Sequence, residues 1–224
     1  MYLGLDLGTS SLKALIIDSD SQVVASASRT LFISRPKPLY SEQNPQDWVR
    51  ALEGAMQDLS STHPSILKQV QAIGLTGQMH GAVCLDTKGG VLRPAILWND
   101  GRSYLECQDL TERCPLHARI TGNLMMPGFT LPKLIWMAKN EPDIFAKIDQ
   151  VLLPKDYLRF ILSGDFATDL SDASGTGWVD VAQRTYSDEL LDASGMKEQQ
   201  MPALFEGTAQ TGRLKQEWAK YSKK

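Results

Sequence analysis

The sequence predicts an α/β protein with a mixed sheet that opens as an antiparallel meander and is flanked by helices. Three observations carry that prediction. The chain up to Phe32 alternates apolar runs with short turns, a well-capped amphipathic helix starts at Asn44, and helical patterns broken by brief apolar strands dominate beyond Arg102. Strands first and then helices interleaved with strands is the order of an α/β chain, not of an all-α or all-β one.

Each element can be justified in turn. Residues 2–7, 12–17 and 23–32 are strand-like runs, and Asp18-Ser19-Asp20-Ser21 reads as a tight turn between the last two. Short turns join strands antiparallel, because a parallel return needs a crossover of about a dozen residues or more. Asn44 caps a helix, Pro45 suits its first position, and Asp47 sits at the favourable pole of its dipole. Trp48, Leu52, Ala55, Met56 and Leu59 follow at helical spacing and predict its buried face. Residues 70–75 read as a buried strand, and 82–85 with 91–92 flank Asp86-Thr87-Lys88-Gly89-Gly90 as the arms of a hairpin. Further helices are predicted over 103–114, 131–140, 142–148, 155–162 and 187–193, the last two ended by Gly164 and Gly195, with a short strand at 151–153.

Composition excludes several classes of function. With 224 residues, 42% hydrophobic and 22% charged, the chain can bury an ordinary globular core. A net charge of -3 gives no reason to expect nucleic acid as a partner. The basic tail of Arg213, Lys215, Lys220, Lys223 and Lys224 reads as the solvated face of a terminal helix. No run approaches the roughly 18 apolar residues of a membrane span. The N-terminus enters a strand with no basic region ahead of it, so neither membrane nor secretion is expected. Cys84, Cys107 and Cys114 show no CxxC spacing and an odd count, which predicts core thiols in a cytoplasmic protein, without disulfides or structural zinc.

The most informative stretch is Leu3-Gly4-Leu5-Asp6-Leu7-Gly8-Thr9-Ser10-Ser11-Leu12-Lys13. A strand delivers an acid at its end, a glycine lets the backbone turn beside it, and hydroxyls and a lysine follow. Amides and hydroxyls of such a turn can donate to phosphate oxygens while the acid holds the neutralising metal ion. On turn chemistry alone a plain hairpin accounts for the same residues. Neither GxxxxGK nor GxGxxG is present.

Asp6-Leu7-Gly8-Thr9-Ser10 with Lys13 resembles the first phosphate motif of the actin-like (ribonuclease H-like) ATPases. Within that superfamily the chain resembles the carbohydrate kinases that act on glycerol, gluconate and the pentuloses. Gly77-Gln78-Met79-His80-Gly81 is similar to the loop that contacts sugar in the xylulokinases, where glycerol kinases carry Arg-Glu. Trp98-Asn99-Asp100-Gly101-Arg102 is similar to the family's Trp-x-Asp-x-Arg loop, and Thr168-Asp169-Leu170-Ser171-Asp172-Ala173-Ser174 to a stretch of its cleft wall. Thr121-Gly122-Asn123, the segment from Asn123 to Phe129, and Pro154-Lys155-Asp156-Tyr157 extend the resemblance over nearly the whole chain. Without it, His80 reads as a structural histidine, and Trp98 with Asp100 and Arg102 as a buried tryptophan beside a surface ion pair.

The resemblance implies a set of expectations. Asp6 is a catalytic residue and ligand of Mg²⁺, through water, while Gly8, Thr9, Ser10 and Lys13 contact ATP. Gln78, Met79, His80, Trp98, Asp100 and Arg102 hold the sugar, with D-xylulose or a related ketose as substrate. In this reading His80 offers both a donor and an acceptor, and Met79 packs on the carbon chain. Family members are about twice as long, so residues 1–224 are expected to be an N-terminal sugar-binding domain whose C-terminal nucleotide-binding domain, with the Asp that serves as general base, is absent. Phosphoryl transfer of this kind rests on positioning and electrostatics, and the chain alone is expected to be nearly inactive. A kinase for ribulose or gluconate, or a non-catalytic actin-like module, are the competing readings, and a homodimer is left open.

Overall fold

The computed structural model describes residues 1–221. It opens with β1 (Tyr2–Leu7), β2 (Ser11–Ile17), β3 (Val23–Thr30) and the short β4 (Glu42–Gln43). Helices α1 (Pro45–Thr62) and α2 (Pro64–Leu67) lead to β5 (Ala72–Gly77), β6 (Val83–Leu85) and β7 (Ala95–Ile96). The chain continues through α3 (Tyr104–Arg113), α4 (His117–Thr121), α5 (Thr130–Asn140), α6 (Pro142–Phe145), β8 (Gln150–Leu152) and α7 (Pro154–Ser163). It ends with β9 (Ala167–Asp169), α8 (Leu170–Ser174), β10 (Val179–Asp180), β11 (Thr185–Tyr186), α9 (Asp188–Ser194) and β12 (Ala203–Phe205).

The main sheet has the order β3-β2-β1-β5, antiparallel through the meander and parallel between β1 and β5. Register places Leu3, Leu5 and Leu7 opposite Ile16, Ala14 and Leu12, so all six share one buried face. Strand periodicity of two puts Asp6 and Lys13, also paired, on the other, exposed face. Against the apolar face lies α1, which buries Trp48, Leu52, Ala55, Met56 and Leu59 as its spacing predicts. Its cap forms as expected: the Asn44 side chain accepts from the Gln46 amide, a contact worth about 1 kcal/mol. A second core gathers around α5, with α3, α9 and β8 supplying its walls. Alternation along β6 serves both, Val83 and Leu85 facing the first core and Cys84 the second.

Several boundaries differ from the sequence pattern for identifiable reasons. The strand read at 70–75 runs two residues later, because the Val70 amide closes a turn on Leu67. The Asp86–Gly90 turn forms, with Gly89 in the left-handed region (φ +76°) and the Asp86 amide 2.9 Å from the Gly90 carbonyl. Its second arm, however, is a single bridge at Val91, and β6 pairs along its length with β8. Pro94 offers no amide to prolong that arm. The pairs β4–β7, β9–β12 and β10–β11 were too short to show a period. The expected terminal helix is a 3₁₀ turn at Ala219–Tyr221, whose anchors Trp218 and Tyr221 are buried. Trp218 donates to the Ile161 carbonyl and Ser60 to that of Tyr221. Lys223 and Lys224 lie outside the described residues.

A buried ionic network staples β4 to the loop after β7. The Arg102 guanidinium binds both carboxylate oxygens of Asp100, reaches Glu42 at 2.7 Å, and lies 3.6 Å from the Tyr40 ring centroid. Asp100 also accepts from the amides of Ser41 and Arg102, and Arg93 joins Glu42 to Glu141. Removing one member of such a network strands buried charge, which costs about 3–5 kcal/mol. Arg102→Met is therefore expected to lower the urea midpoint by an equivalent amount, read in equilibrium melts. A stability loss below about 1 kcal/mol would show that Arg102 is not a structural staple.

Candidate functional site

Because β1 and β5 are parallel neighbours, the loops that leave them emerge side by side at one edge of the sheet. Leu7 is in register with Gly77, and the Gln78 amide donates to the Leu7 carbonyl at 2.7 Å. The crevice beyond the carboxyl ends of parallel strands is the usual ligand site of open α/β sheets. Gln43, which the sequence reading passed over, ties the two loops together. Its Nε2 donates to the Thr9 carbonyl, while its Oε1 accepts from Gln78 Nε2 and Trp48 Nε1.

An open cavity of ≈ 620 Å³ lies at this edge, within the usual range for small-molecule sites. Thr76, Met79 and His80 form one side, Asn123 and Phe129 another, and Asp169, Asp172 and Gly175 a third. The structure thus brings together three segments that the sequence singled out separately: the Met-His loop, the Asn123–Phe129 segment and the stretch around Asp169–Ser174.

His80 is the best-organised group in it. Its backbone is left-handed (φ 62°), a costly conformation for a non-glycine residue that the surroundings must hold. Its ring packs on Phe129, centroids 4.6 Å apart, and Nδ1 lies 2.6 Å from the Gly175 carbonyl. A carbonyl only accepts, so Nδ1 carries the proton and Nε2 keeps a bare lone pair. The expectation that His80 offers both a donor and an acceptor is corrected: its donor is already used. Gly175 has no alternative here, since a Cβ would lie 2.5 Å from the imidazole Cε1. Burial lowers the His80 pKa, with the Gly175 hydrogen bond opposing, so the ring is neutral near pH 7.

The carboxylates of the cavity wall are ion-paired. Asp169 and Asp172 both bind Lys155 Nζ, at 2.9 and 3.0 Å, and Asp156 binds it at 2.7 Å. Despite desolvation, this ring of acids pushes the Lys155 pKa up and keeps the ammonium charged. Three acids share one cation, and burial raises the deepest of them, Asp156, to about 6 against the pull of Lys155. Among the described residues no cluster of His, Cys, Asp or Glu is arranged to hold a metal.

The remaining expected residues divide clearly. Asp6 is exposed at the end of β1, in register with Thr76 of the cavity and with Lys13. The amides of Gly8, Thr9 and Ser10 have no acceptor among the described residues, which suits a turn that receives an anion. Trp98 is 45% exposed, not buried, and its indole N–H donates to Thr9 Oγ1 at 2.9 Å, so it is tied to the turn. Met79 is 52% exposed at the cavity. Asp100 and Arg102, expected on the sugar, are instead buried in the ionic staple and do not line the cavity. Gln78 points inward to Gln43, with Oε1 buried. Lys133 went unnoticed, although a lysine inside the apolar run Leu131-Pro132-Lys133-Leu134-Ile135-Trp136-Met137 was a readable signal.

The mixed sheet opened by an antiparallel meander, with its flanking helices, defines an actin-like ATPase fold with an open cavity at the end of β5. Comparison narrows the class. The profile of the N-terminal domain of the FGGY family of carbohydrate kinases matches residues 1–222. The chain belongs to that family. It is 54% identical to the xylulose kinase of Escherichia coli (strain K12) over 220 residues, covering 98% of this chain and 45% of that protein. A xyloylose kinase structure from Brucella ovis superposes with a TM-score of 0.97 at 51% identity, over 99% of this chain and 46% of that one. A gluconate kinase from Lactobacillus acidophilus gives 0.92 at 28% identity, over 99% and 45%. The chain therefore spans about half the length of the relatives it matches.

His80 generates a pH prediction. It binds its proton more weakly in the folded chain than at the ordinary value of 6.5, so stability is full above 6.5 and is lost as pH falls toward the folded value. Relative to His80→Gln, the wild-type chain is expected to lose denaturation free energy on acidification from about pH 7.5 to 5. Parallel curves for the two proteins would contradict the assignment.

Proposed function

We propose that this chain is the sugar-recognising half of an ATP-dependent kinase that converts D-xylulose to D-xylulose 5-phosphate once a nucleotide-binding half completes the site. The observation that carries the reading is the parallel pairing of β1 with β5, which sets the Asp6–Ser10 turn directly beside the Met79-His80 loop. A sugar hydroxyl held by the second would lie next to a phosphate held by the first. The strong likeness to proteins named xylulose kinase favours a pentulose over gluconate, whose kinase shares the fold at lower identity.

In this reading His80 Nε2 accepts a sugar hydroxyl, Met79 covers the carbon chain, and Asn123 supplies an amide at the rim. Trp98 links the sugar side to the phosphate side through Thr9. Asp6 and the free amides of Gly8, Thr9 and Ser10 fit a Mg²⁺-bound phosphate of ATP, since Mg²⁺ keeps most of its waters and needs only one or two carboxylates. The metal would offset charge on the transferring group. Asp169 and Asp172 are both ion-paired to Lys155, and in this reading the base for the sugar hydroxyl comes from the other half. Three buried thiols, their pKa values raised by burial to about 12 for Cys84 and Cys107 and about 11 for Cys114, suit a reducing cytoplasm. No helix among the described residues is long and apolar enough to cross a membrane.

Calorimetry of the chain with D-xylulose, ribulose, gluconate and glycerol is expected to rank D-xylulose tightest. Tighter binding of ribulose or gluconate would overturn the choice of sugar. In a version completed with a C-terminal half, Asp6→Asn is expected to cut kcat by about 10²-fold or more while sugar affinity is retained. Unchanged turnover would remove Asp6 from the phosphate site, and a completed wild type without ATP-dependent phosphorylation would favour a non-catalytic module.

A further inference from the structure

We propose that Lys133 is the positioning residue of the site: its buried amine grips the His80 carbonyl and so keeps His80 in the backbone conformation that presents its ring to the cavity. The use of that ring on a sugar rests on the function proposed above; the positioning itself does not.

Lys133 lies on α5 and is 0% exposed, with Thr130, Leu131, Pro132, Leu134, Ile135, Trp136 and Met137 buried around it. Packing alone gives no reason for an amine here, since burying one without full solvation is costly and a methionine fills a similar shape. The hydrogen bond found for Nζ among the described residues goes to the His80 carbonyl at 2.8 Å. Thr130, at the first turn of the same helix, donates its hydroxyl to that oxygen at 3.1 Å. Two side chains from one helix thus converge on one backbone atom, the carbonyl of the residue with φ 62°.

That convergence supplies what a left-handed histidine needs. Such a conformation persists only where neighbours over-determine it. The ring-side contacts, Nδ1 to Gly175 and the face of Phe129, fix the imidazole once the backbone is placed, but they do not touch the carbonyl. Lys133 and Thr130 do. Burial lowers the Lys133 pKa to about 7, with Asp100 raising and Arg102 lowering it. Charged or neutral, the amine retains an N–H to donate, whereas a thioether has none.

The test reads His80 directly. The chain has three histidines, His63, His80 and His117, so ¹⁵N-histidine labelling gives a resolvable set of imidazole signals. In the wild type, long-range ¹H–¹⁵N spectra are expected to show His80 as a fixed Nδ1–H tautomer. Lys133→Met is expected to convert this to an exchange-averaged pattern while His117 is unchanged. Thr130→Val is expected to move the signal the same way by less, and it carries the test if Lys133→Met does not fold. A folded Lys133→Met, or Thr130→Val in its place, with the wild-type His80 pattern would overturn the proposal. D-xylulose affinity measured on the same samples is expected to fall about tenfold with Lys133→Met, equivalent to about 1.4 kcal/mol. If His80 is released but the wild type binds no D-xylulose, the sugar reading fails and the positioning role stands.

Discussion

The candidate site of this domain depends on the parallel pairing of β1 with β5. Antiparallel neighbours would send their outgoing loops to opposite ends of the sheet; parallel ones send both to the same end. Here that end carries Asp6-Leu7-Gly8-Thr9-Ser10 from one strand and Gln78-Met79-His80-Gly81 from the other, in register at Leu7 and Gly77. The crossover through α1 and α2 makes the pairing possible. It also supplies the apolar face that Trp48, Leu52 and Leu59 bury against the sheet. Gln43, just ahead of α1, then locks the loops to each other by hydrogen bonds on both sides.

Several of the buried polar groups in this protein are joined in closed ionic clusters. Two ionic clusters hold loops in place: the Asp100–Arg102–Glu42 staple after β7, and the three carboxylates around Lys155 at the cavity wall. Lone buried charges would destabilise the fold, but closed networks hold their loops in one arrangement. The second cluster holds Asp169 and Asp172 on the cavity wall. His80 Nε2 is left as a hydrogen-bond acceptor on the wall, with the ring kept neutral because burial opposes its charge.

Much of this was legible in the chain. Meander, capped helix and turn glycines follow from local rules, because each depends on residues within a few positions of one another. Elements of two or three residues were not legible, having no period to read, and neither was the pairing of β6 with β8. The site residues show the same divide. Asp6 and the Met79-His80 pair stand out by type and position; Met79 and His80 line the cavity, and Asp6 pairs in register with Thr76 of its wall. Asp100 and Arg102 have the same polar character, yet they turn inward. Whether a charged side chain meets solvent or another charge depends on strands far away in sequence.

The sequence by itself determined the turn from Asp6 to Ser10, the order of elements and the resemblance to carbohydrate kinases, since these rest on local spacing and residue type. Only the tertiary structure decided which polar residues face the cavity. It also assigned the His80 proton to Nδ1, through a carbonyl at Gly175, and placed Lys133 on the His80 backbone. Those facts come from contacts between residues about fifty to a hundred positions apart, brought within hydrogen-bond distance only where Lys133 of α5 and Gly175, just after α8, meet the loop that follows β5.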